Sequence, residues 1–342
     1  MGSSRQSSEI ESEASKAGFV RPVDDDDDVL EDEKLGWNDE DPEATRYRDF
    51  WSALLHCVGL GKFEDTTTIP AVRFTDDPCP LREAQLCTTL QVFSAKIAQI
   101  SAGLQFPLDV YVVIARRDCV DRRRNIIFSR TRKNCQTITQ ENPYLVLSGP
   151  SRAIVLLDPV FFEILLKVKG AVESEDKILN FDTDKMECWD SLRSRMVYGT
   201  YTYKLSTMEL TLGTIDSSVE ASIFVRVLDG PLPGAFSVTA STNPKENPPG
   251  LAETDHKYIL LQKSMLVSSV GDIKLSRSAV SVPITGELVV SLIAHKLSDG
   301  SMEFKDVYFE VRKDKKYNEK VKVGLYTMEI SVAWSLISFI SD

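Results

Sequence analysis

The stretch Y-T-M-E-I-S-V-A-W-S-L, residues 326–336, decides the fold class. Its even positions hold Tyr326, Met328, Ile330, Val332, Trp334 and Leu336, with Thr327, Glu329, Ser331 and Ser335 between them. A two-residue period with one apolar face is the pattern of a strand buried on one side. Similar runs recur at V-Y-V-V-I-A (110–115), N-I-I-F-S-R (125–130), Y-L-V-L-S-G (144–149), A-I-V-L-L-D (153–158), E-I-L-L-K-V-K (163–169) and M-E-L-T-L-G (208–213). They continue at A-S-I-F-V-R-V-L (221–228), Y-I-L-L-Q (258–262), E-L-V-V-S-L-I-A-H-K-L (287–297) and D-V-Y-F-E-V (306–311). Gly, Pro, Asn or Asp clusters separate most of them. Short strands with almost no helical period between them predict a mainly β fold of antiparallel sandwiches, not βαβ units.

The β part also reads as two tandem units related by internal duplication. G-T-Y-T-Y-K-L-S (199–206) matches G-L-Y-T-M-E-I-S (324–331) at an offset of 125. Ser151-Arg152-Ala153-Ile154 matches Arg277-Ser278-Ala279-Val280 at 126, and T-L-Q-V-F (89–93) matches T-M-E-L-T (207–211) at 118. An acidic turn follows in each half, at Glu173–Asp176 and at Ser298–Gly300. One order kept at nearly one offset is the mark of a repeat. On this reading residues 88–206 form one sandwich and 207–342 a second, with Tyr201 and Tyr326 in equivalent, inward-facing positions.

Residues 1–45 form an acidic leader. Residues 1–49 hold 16 Asp and Glu against 6 Lys and Arg, and the remaining residues 35 against 34, for a total of −11. The run Asp24–Asp28 repels itself and buries nothing, so a disordered segment is expected. Residues 46–87 comprise a helix and an extended linker. In R-Y-R-D-F-W-S-A-L-L-H-C-V (46–58), Phe50, Trp51, Leu54, Leu55 and Val58 share one helical face, and Gly59 and Gly61 stop the helix. Trp51 is expected to cover one end of the sandwiches.

A nearly neutral body excludes a basic nucleic-acid footprint over the whole chain. Three His exclude most His-rich metal sites. Six Cys, at 57, 79, 87, 119, 135 and 188, form no C-x-x-C. With no apolar h-region in Met1–Glu13, they read as free thiols of a reducing compartment, the cytoplasm or alternatively the nucleus. No apolar run is long enough to span a bilayer.

Several stretches resemble a plant family, expanded in grasses, catalogued as domain of unknown function 6598. They include F-E-D-T-T-T-I-P (63–70), L-Q-V-F-S-A-K-I-A (90–98), P-L-D-V-Y (107–111), R-N-I-I-F-S-R-T-R-K-N-C-Q-T-I-T (124–139) and P-Y-L-V-L-S-G-P-S-R-A-I-V-L-L-D-P-V (143–160). L-S-R-S-A-V-S-V (275–282) and T-M-E-I-S-V-A-W-S-L (327–336) follow. The resemblance implies a mainly β body and brings no catalytic residues. Some relatives carry this region fused to a ribosome-inactivating N-glycosidase domain. The Glu-Ala-x-x-Arg helix of that domain has no counterpart here, since Glu220-Ala221 is followed by Phe224 in strand-like sequence.

Two candidate sites stand out. Residues 116–133 gather Arg116, Arg117, Arg122, Arg123, Arg124, Arg130, Arg132 and Lys133 against only Asp118 and Asp121. Such a cluster could bind anionic lipid or RNA phosphates, dock the acidic leader, or be a solvated hairpin face. Phe128 is its only aromatic, which gives little for base stacking. Asp182, Asp184 and Asp190 have the D-x-D-x₅-D spacing of a calcium loop, with Asp118 and Asp121 as a second loop; a run of surface turns explains them equally. G-L-G-K-F (59–63) lacks the spacing and hydroxyl of a phosphate loop and reads as a helix stop. No G-x-S-x-G is present, and Asp109, Asp158 and Glu163 could be an acid/base pair only if the fold joined two of them.

These readings predict a non-catalytic intracellular binding protein, stress- or defence-associated, with no cofactor. An unknown protein partner is expected, with anionic lipid or RNA at residues 116–133 as the other candidates. The alternative is an enzyme or enzyme accessory in defence, related to ribosome-inactivating proteins.

Overall fold

Ser206–Asp229 forms one unbroken strand of 24 residues, and the rest of the body is arranged around it. The computed structural model describes residues 42–76, 83–101, 103–187, 194–244, 258–296 and 300–338. Helix α1 spans Pro42–Cys57. In chain order the main strands are β1 Cys87–Ile100, β2 Leu108–Arg117, β3 Asn125–Arg130, β4 Ile154–Val155, β5 Val160–Val168, β6 Lys177–Asp182, β7 Arg195–Tyr203 and β8 Ser206–Asp229. They continue as β9 Gly234–Pro244, β10 Tyr258–Val267, β11 Ala279–Pro283, β12 Gly286–His295, β13 Met302–Glu310, β14 Lys316–Val323 and β15 Tyr326–Ser335.

All these strands pair antiparallel. The first half of β8 completes a sheet ordered β4-β1-β8-β7, which faces a sheet ordered β3-β2-β5-β6. The second half completes β11-β8-β15-β14, which faces β10-β9-β12-β13. Each half thus has the same strand order, and β8 serves both. The handover lies at Asp216-Ser217. There the register with β1 shifts between Ile215 and Ser218, and Ser217 adopts φ +48°. A bulge of this kind bends a strand and sharpens its twist, which lets one strand pass from sheet to sheet.

The expected boundary between residues 206 and 207 therefore falls at the start of the shared strand. Thr207–Ile215 belong to the first sandwich, because period-two alternation continues through Gly213 without a turn. The matching strand orders also do not follow the offset of the expected repeat. β7–β8 and β14–β15 are matching hairpins, turning at Lys204-Leu205 and Gly324-Leu325, with Tyr203 opposite Ser206 and Val323 opposite Tyr326. Counterparts here are 120 residues apart, so T-M-E-L (207–210) corresponds to T-M-E-I (327–330). Tyr201 sits on β7 opposite Met208, while Tyr326 opens β15. They are not equivalent, contrary to the sequence expectation, because the G-x-Y-T match joins a strand before one turn to a strand after the other. T-L-Q-V-F (89–93) and T-M-E-L-T (207–211) likewise lie on adjacent strands of one sheet. The Ala-Ile/Val match does fall on topological counterparts, β4 and β11.

Two apolar cores result. The first holds Leu90, Val110, Ile114, Ile164, Met208 and Leu212. The second holds Ile223, Val238, Val290, Ile330 and Trp334. Y-L-V-L-S-G does not form a strand; it bridges Tyr144 to Lys96 and bonds β1 and β3 through the N–H groups of Leu145, Ser148 and Gly149. β2 is buried on both faces, which explains its run of apolar residues without alternation. Helix α1 supplies the second cover. Its inward face is Ala44, Trp51 and Leu55, with Tyr47 partly buried, laid over Tyr111, Val113, Leu165 and Phe181. Phe50 and Val58 point to solvent instead. Trp51 thus lies on the outer face of a sheet, not at the end of the sandwiches.

Candidate functional site

The linker after α1 runs as a strap across both sandwiches, and the charged residues of the loop after β2 meet it there. Gly59 and Gly61 take positive φ, which ends the helix as expected. Thr67 donates its N–H to the Arg124 carbonyl at 2.8 Å, and Arg124 returns an N–H to the Asp65 carbonyl at 3.1 Å. Further on, the Phe74 N–H donates to Ser335 Oγ at 3.0 Å and Thr75 Oγ1 to the Trp334 carbonyl at 3.0 Å. One segment thereby ties the first sandwich to the second.

Glu163, on the outward face of β5, is the first ionic centre. It is fully buried and receives Arg117 Nε on Oε1 and Arg124 Nε on Oε2, the latter at 2.6 Å. Tyr47 of α1 donates its hydroxyl to Oε1 at 3.3 Å. Arg117 also donates to the carbonyls of Phe63 (2.5 Å) and Arg122 (3.0 Å). Its guanidinium lies 4.9 Å from the Trp51 and Phe63 rings. Burial alone would raise the Glu163 carboxyl, but the two guanidiniums outweigh it and hold it below the ordinary glutamate range. The Tyr47 hydroxyl is pushed well up by burial and by Glu163.

Arg152 is the second centre. It grips Asp118 with two hydrogen bonds, 2.7 and 2.9 Å, and reaches Asp121 at 3.1 Å and Thr67 Oγ1 at 3.1 Å. Asp118 also accepts the N–H of Val155 at 3.0 Å, and Asp121 accepts Thr67 Oγ1 at 2.6 Å. Burial opposes the Arg152 charge, yet Asp118 and Asp121 hold it firmly protonated. Glu220 of β8 is the third: it accepts the N–H groups of Val72 in the strap and Ala153 beside Arg152. Burial raises its carboxyl despite both bonds.

The eight basic residues of 116–133 therefore do not form one exposed patch. Arg116, Arg117 and Arg124 are fully buried, Arg116 lying against the Phe162 ring. Arg123 donates to the Leu60 carbonyl (3.0 Å) and Thr68 (3.2 Å) of the strap. Arg130 is partly buried beside Phe128. Arg132 pairs with Asp176 at 2.7 and 3.1 Å, so the acidic hairpin and the basic loop satisfy each other. Arg122 is half-buried with φ +53°, and Lys133 is exposed. Arg117 and Arg124 lie inside because the α1 cover turns the outer face of β2 and β5 into an interior, where both bond Glu163, whereas Arg116 is buried on the opposite face against Phe162 of the first core.

Of the aspartate triplet, Asp182 and Asp184 are near enough to interact. Burial, then Asp184 and Glu43, push the Asp182 carboxyl up to about 6. Asp190 lies outside the described residues, as do Cys79, Cys188 and His256. Among the described residues no group of three His, Cys, Asp or Glu is placed to hold a metal ion. Asp118 and Asp121, the suggested second calcium loop, are engaged with Arg152. Of the three carboxylates raised as an acid/base pair, Glu163 is held by the arginines and Asp109 accepts from Thr137 Oγ1 at 2.5 Å. Cys57, Cys87, Cys119 and Cys135 are free thiols; burial, then Cys119, push Cys87 up to about 11.

One contact had no signal in the chain. Ser237 Oγ lies 2.9 Å from His295 Nε2, on paired strands β9 and β12. A serine and a histidine 58 residues apart meet only because β9 skips to β12.

The fold is thus that of a double β-sandwich protein with an N-terminal strap. Residues 89–332 match the family described as Domain of unknown function (DUF6598), and the chain belongs to that family. No curated protein matches it. Among solved structures it is similar to the pair of C2 domains of Extended-Synaptotagmin 2, at 10% identity and a TM-score of 0.26, covering 80% of this chain and 100% of that one. It is also similar to Human GIVD cytosolic phospholipase A2 in complex with Methyl gamma-Linolenyl Fluorophosphonate, at 11% identity and a TM-score of 0.23, covering 75% of this chain and 33% of that one. At this level of superposition neither carries a functional statement about this chain. Among the described residues no helix is long and apolar enough to cross a membrane.

Proposed function

We propose that the chain is a non-catalytic binding module that works inside a plant cell, in a stress or defence setting. One observation carries the reading: the deepest ionic groups, Glu163 and Arg152, are spent on partners from the loop after β2 and from the strap. Charges arranged in this way fix one rigid body, and the outer sheet faces that α1 and the strap leave uncovered remain to meet a partner. The free thiols, with Cys87 buried, fit a reducing compartment.

The test is affinity capture of the tagged full chain, with and without nuclease, followed by reconstitution with the purified candidate. Saturable binding of a defined partner is the expected result. Covalent labelling of Ser237 by an alkyl fluorophosphonate, lost in His295→Ala, would overturn the reading, because it would reveal an activated serine.

A further inference from the structure

Because the two sandwiches share one strand order, their outer faces can be compared position by position. On β7 the outward residues opposite β8 are Met196, Tyr198, Thr200 and Thr202. Their counterparts on β14, opposite β15, are Lys316, Asn318, Lys320 and Lys322. All four are exposed. The first sandwich forms the same edge hairpin without a cation on that strand's outward face, so the fold does not require lysine there. Alternate residues of a strand stand about 7 Å apart on one side, and like charges so placed repel.

The surroundings leave this charge only partly offset. Arg226 on β8 is held by Asp272 at 2.7 and 3.1 Å, and Lys316 also feels Asp272. Glu329 on β15 lies opposite Lys320. Among the described residues Lys320 and Lys322 enter no ion pair. Apolar side chains accompany the lysines. Phe224 on β8 is 48% exposed with the Lys316 ammonium 5.2 Å from its ring, and Leu325, at the hairpin tip, is 74% exposed.

We propose that this face docks on an anionic membrane surface, with Lys316, Lys320 and Lys322 against the headgroups and Phe224 and Leu325 in the interfacial layer. The inference rests on reading the chain as a binding module. A flat row of cations flanked by exposed apolar side chains suits a bilayer interface, where each lysine meets the negative surface and apolar groups enter the headgroup region. Single-stranded RNA is less well matched, since successive bases need successive aromatic platforms and this face carries one.

The experiment is sedimentation of the full chain with vesicles of phosphatidylcholine alone and of phosphatidylcholine with phosphatidylserine. Binding is expected only to the mixed vesicles and falls as salt rises. Lys320→Thr with Lys322→Thr takes one residue, Thr200 and Thr202, from each counterpart position, so the variant should fold, as circular dichroism would verify. Each lysine contributes a factor of about five at an anionic surface, so the double variant should partition about 25-fold less. Equal binding to both vesicles, no binding, or a folded double variant that binds like the wild type would overturn the proposal. So would retention of single-stranded RNA without vesicle binding. A protein partner captured equally by the double variant, with vesicles unbound, would end this inference and leave the binding-module reading standing.

Discussion

Arg152 and Asp118, 34 residues apart, meet in a buried two-pronged ion pair, Nη1 to Oδ2 at 2.7 Å and Nη2 to Oδ1 at 2.9 Å. Arg152 leads into β4 and Asp118 follows β2, so the pair joins the two sheets of the first sandwich. Thr67, bonded to both Arg152 and Asp121, adds the strap.

Breaking that pair from one side leaves a buried charge without its partner. Arg152→Ala or Asp118→Ala should each lower unfolding stability by about 3–5 kcal/mol. Urea denaturation measures it. A loss below about 1 kcal/mol, the range of an exposed pair, would mean that water reaches the site.

Glu163 should set part of the acid limit of stability. Its folded carboxyl titrates below the ordinary value of 4.5, so its contribution is complete above that value and is lost as pH falls through the lower folded one. Glu220 has the opposite sign: its raised carboxyl favours the folded state in acid and loses that advantage as pH rises past 4.5. Glu163→Gln should therefore be less stable than the wild type at neutral pH, and the gap should narrow in acid. A gap that stays constant across the pH range would refute the assignment.

The family match begins at residue 89, but the folding unit should begin at α1. A fragment of residues 89–332 lacks Trp51, Leu55 and Phe63 over the β2-β5 face, and the strap bonds to Glu220 and Ser335. Removing one large buried side chain costs about 3–5 kcal/mol. The fragment should bind a hydrophobic dye and unfold without a sharp transition, while residues 42–342 unfold cooperatively. Sharp unfolding of the fragment would contradict this.

Residues 1–41 hold 14 acidic and 4 basic residues. Deleting them removes a net charge of −10 and should strengthen sedimentation with anionic vesicles, most of all at low salt. An unchanged vesicle titration would show that the leader's charge is too remote to matter.

Legibility in the chain followed the range of the interaction. Strands with one strongly apolar face were readable: in Tyr326–Ser335 the alternate residues Met328, Ile330, Val332 and Trp334 enter a core, while Thr327 and Glu329 on the other side are half-buried and Ser335 lies under the strap. The helix was readable, but its buried face was not. Phe50 is as apolar as Trp51, and only the position of Phe161, 5.1 Å from the Trp51 ring, decides which goes inward. The basic loop was readable as charge and illegible as a site, because its fate depends on Glu163, 39 residues beyond Arg124.

By itself, the sequence determined the β class, the acidic leader and the helix before the sandwiches. These are set by local period and composition, which neighbouring residues decide. Tertiary structure alone decided that M-E-L-T-L-G and A-S-I-F-V-R-V-L are one strand, that counterpart hairpins stand 120 residues apart, that Arg117, Arg124 and Arg152 lie inside, and that Ser237 meets His295. Each of these depends on which strand pairs with which. That choice is made by burial and hydrogen bonding between segments far apart in the chain, and a two-residue period cannot encode it.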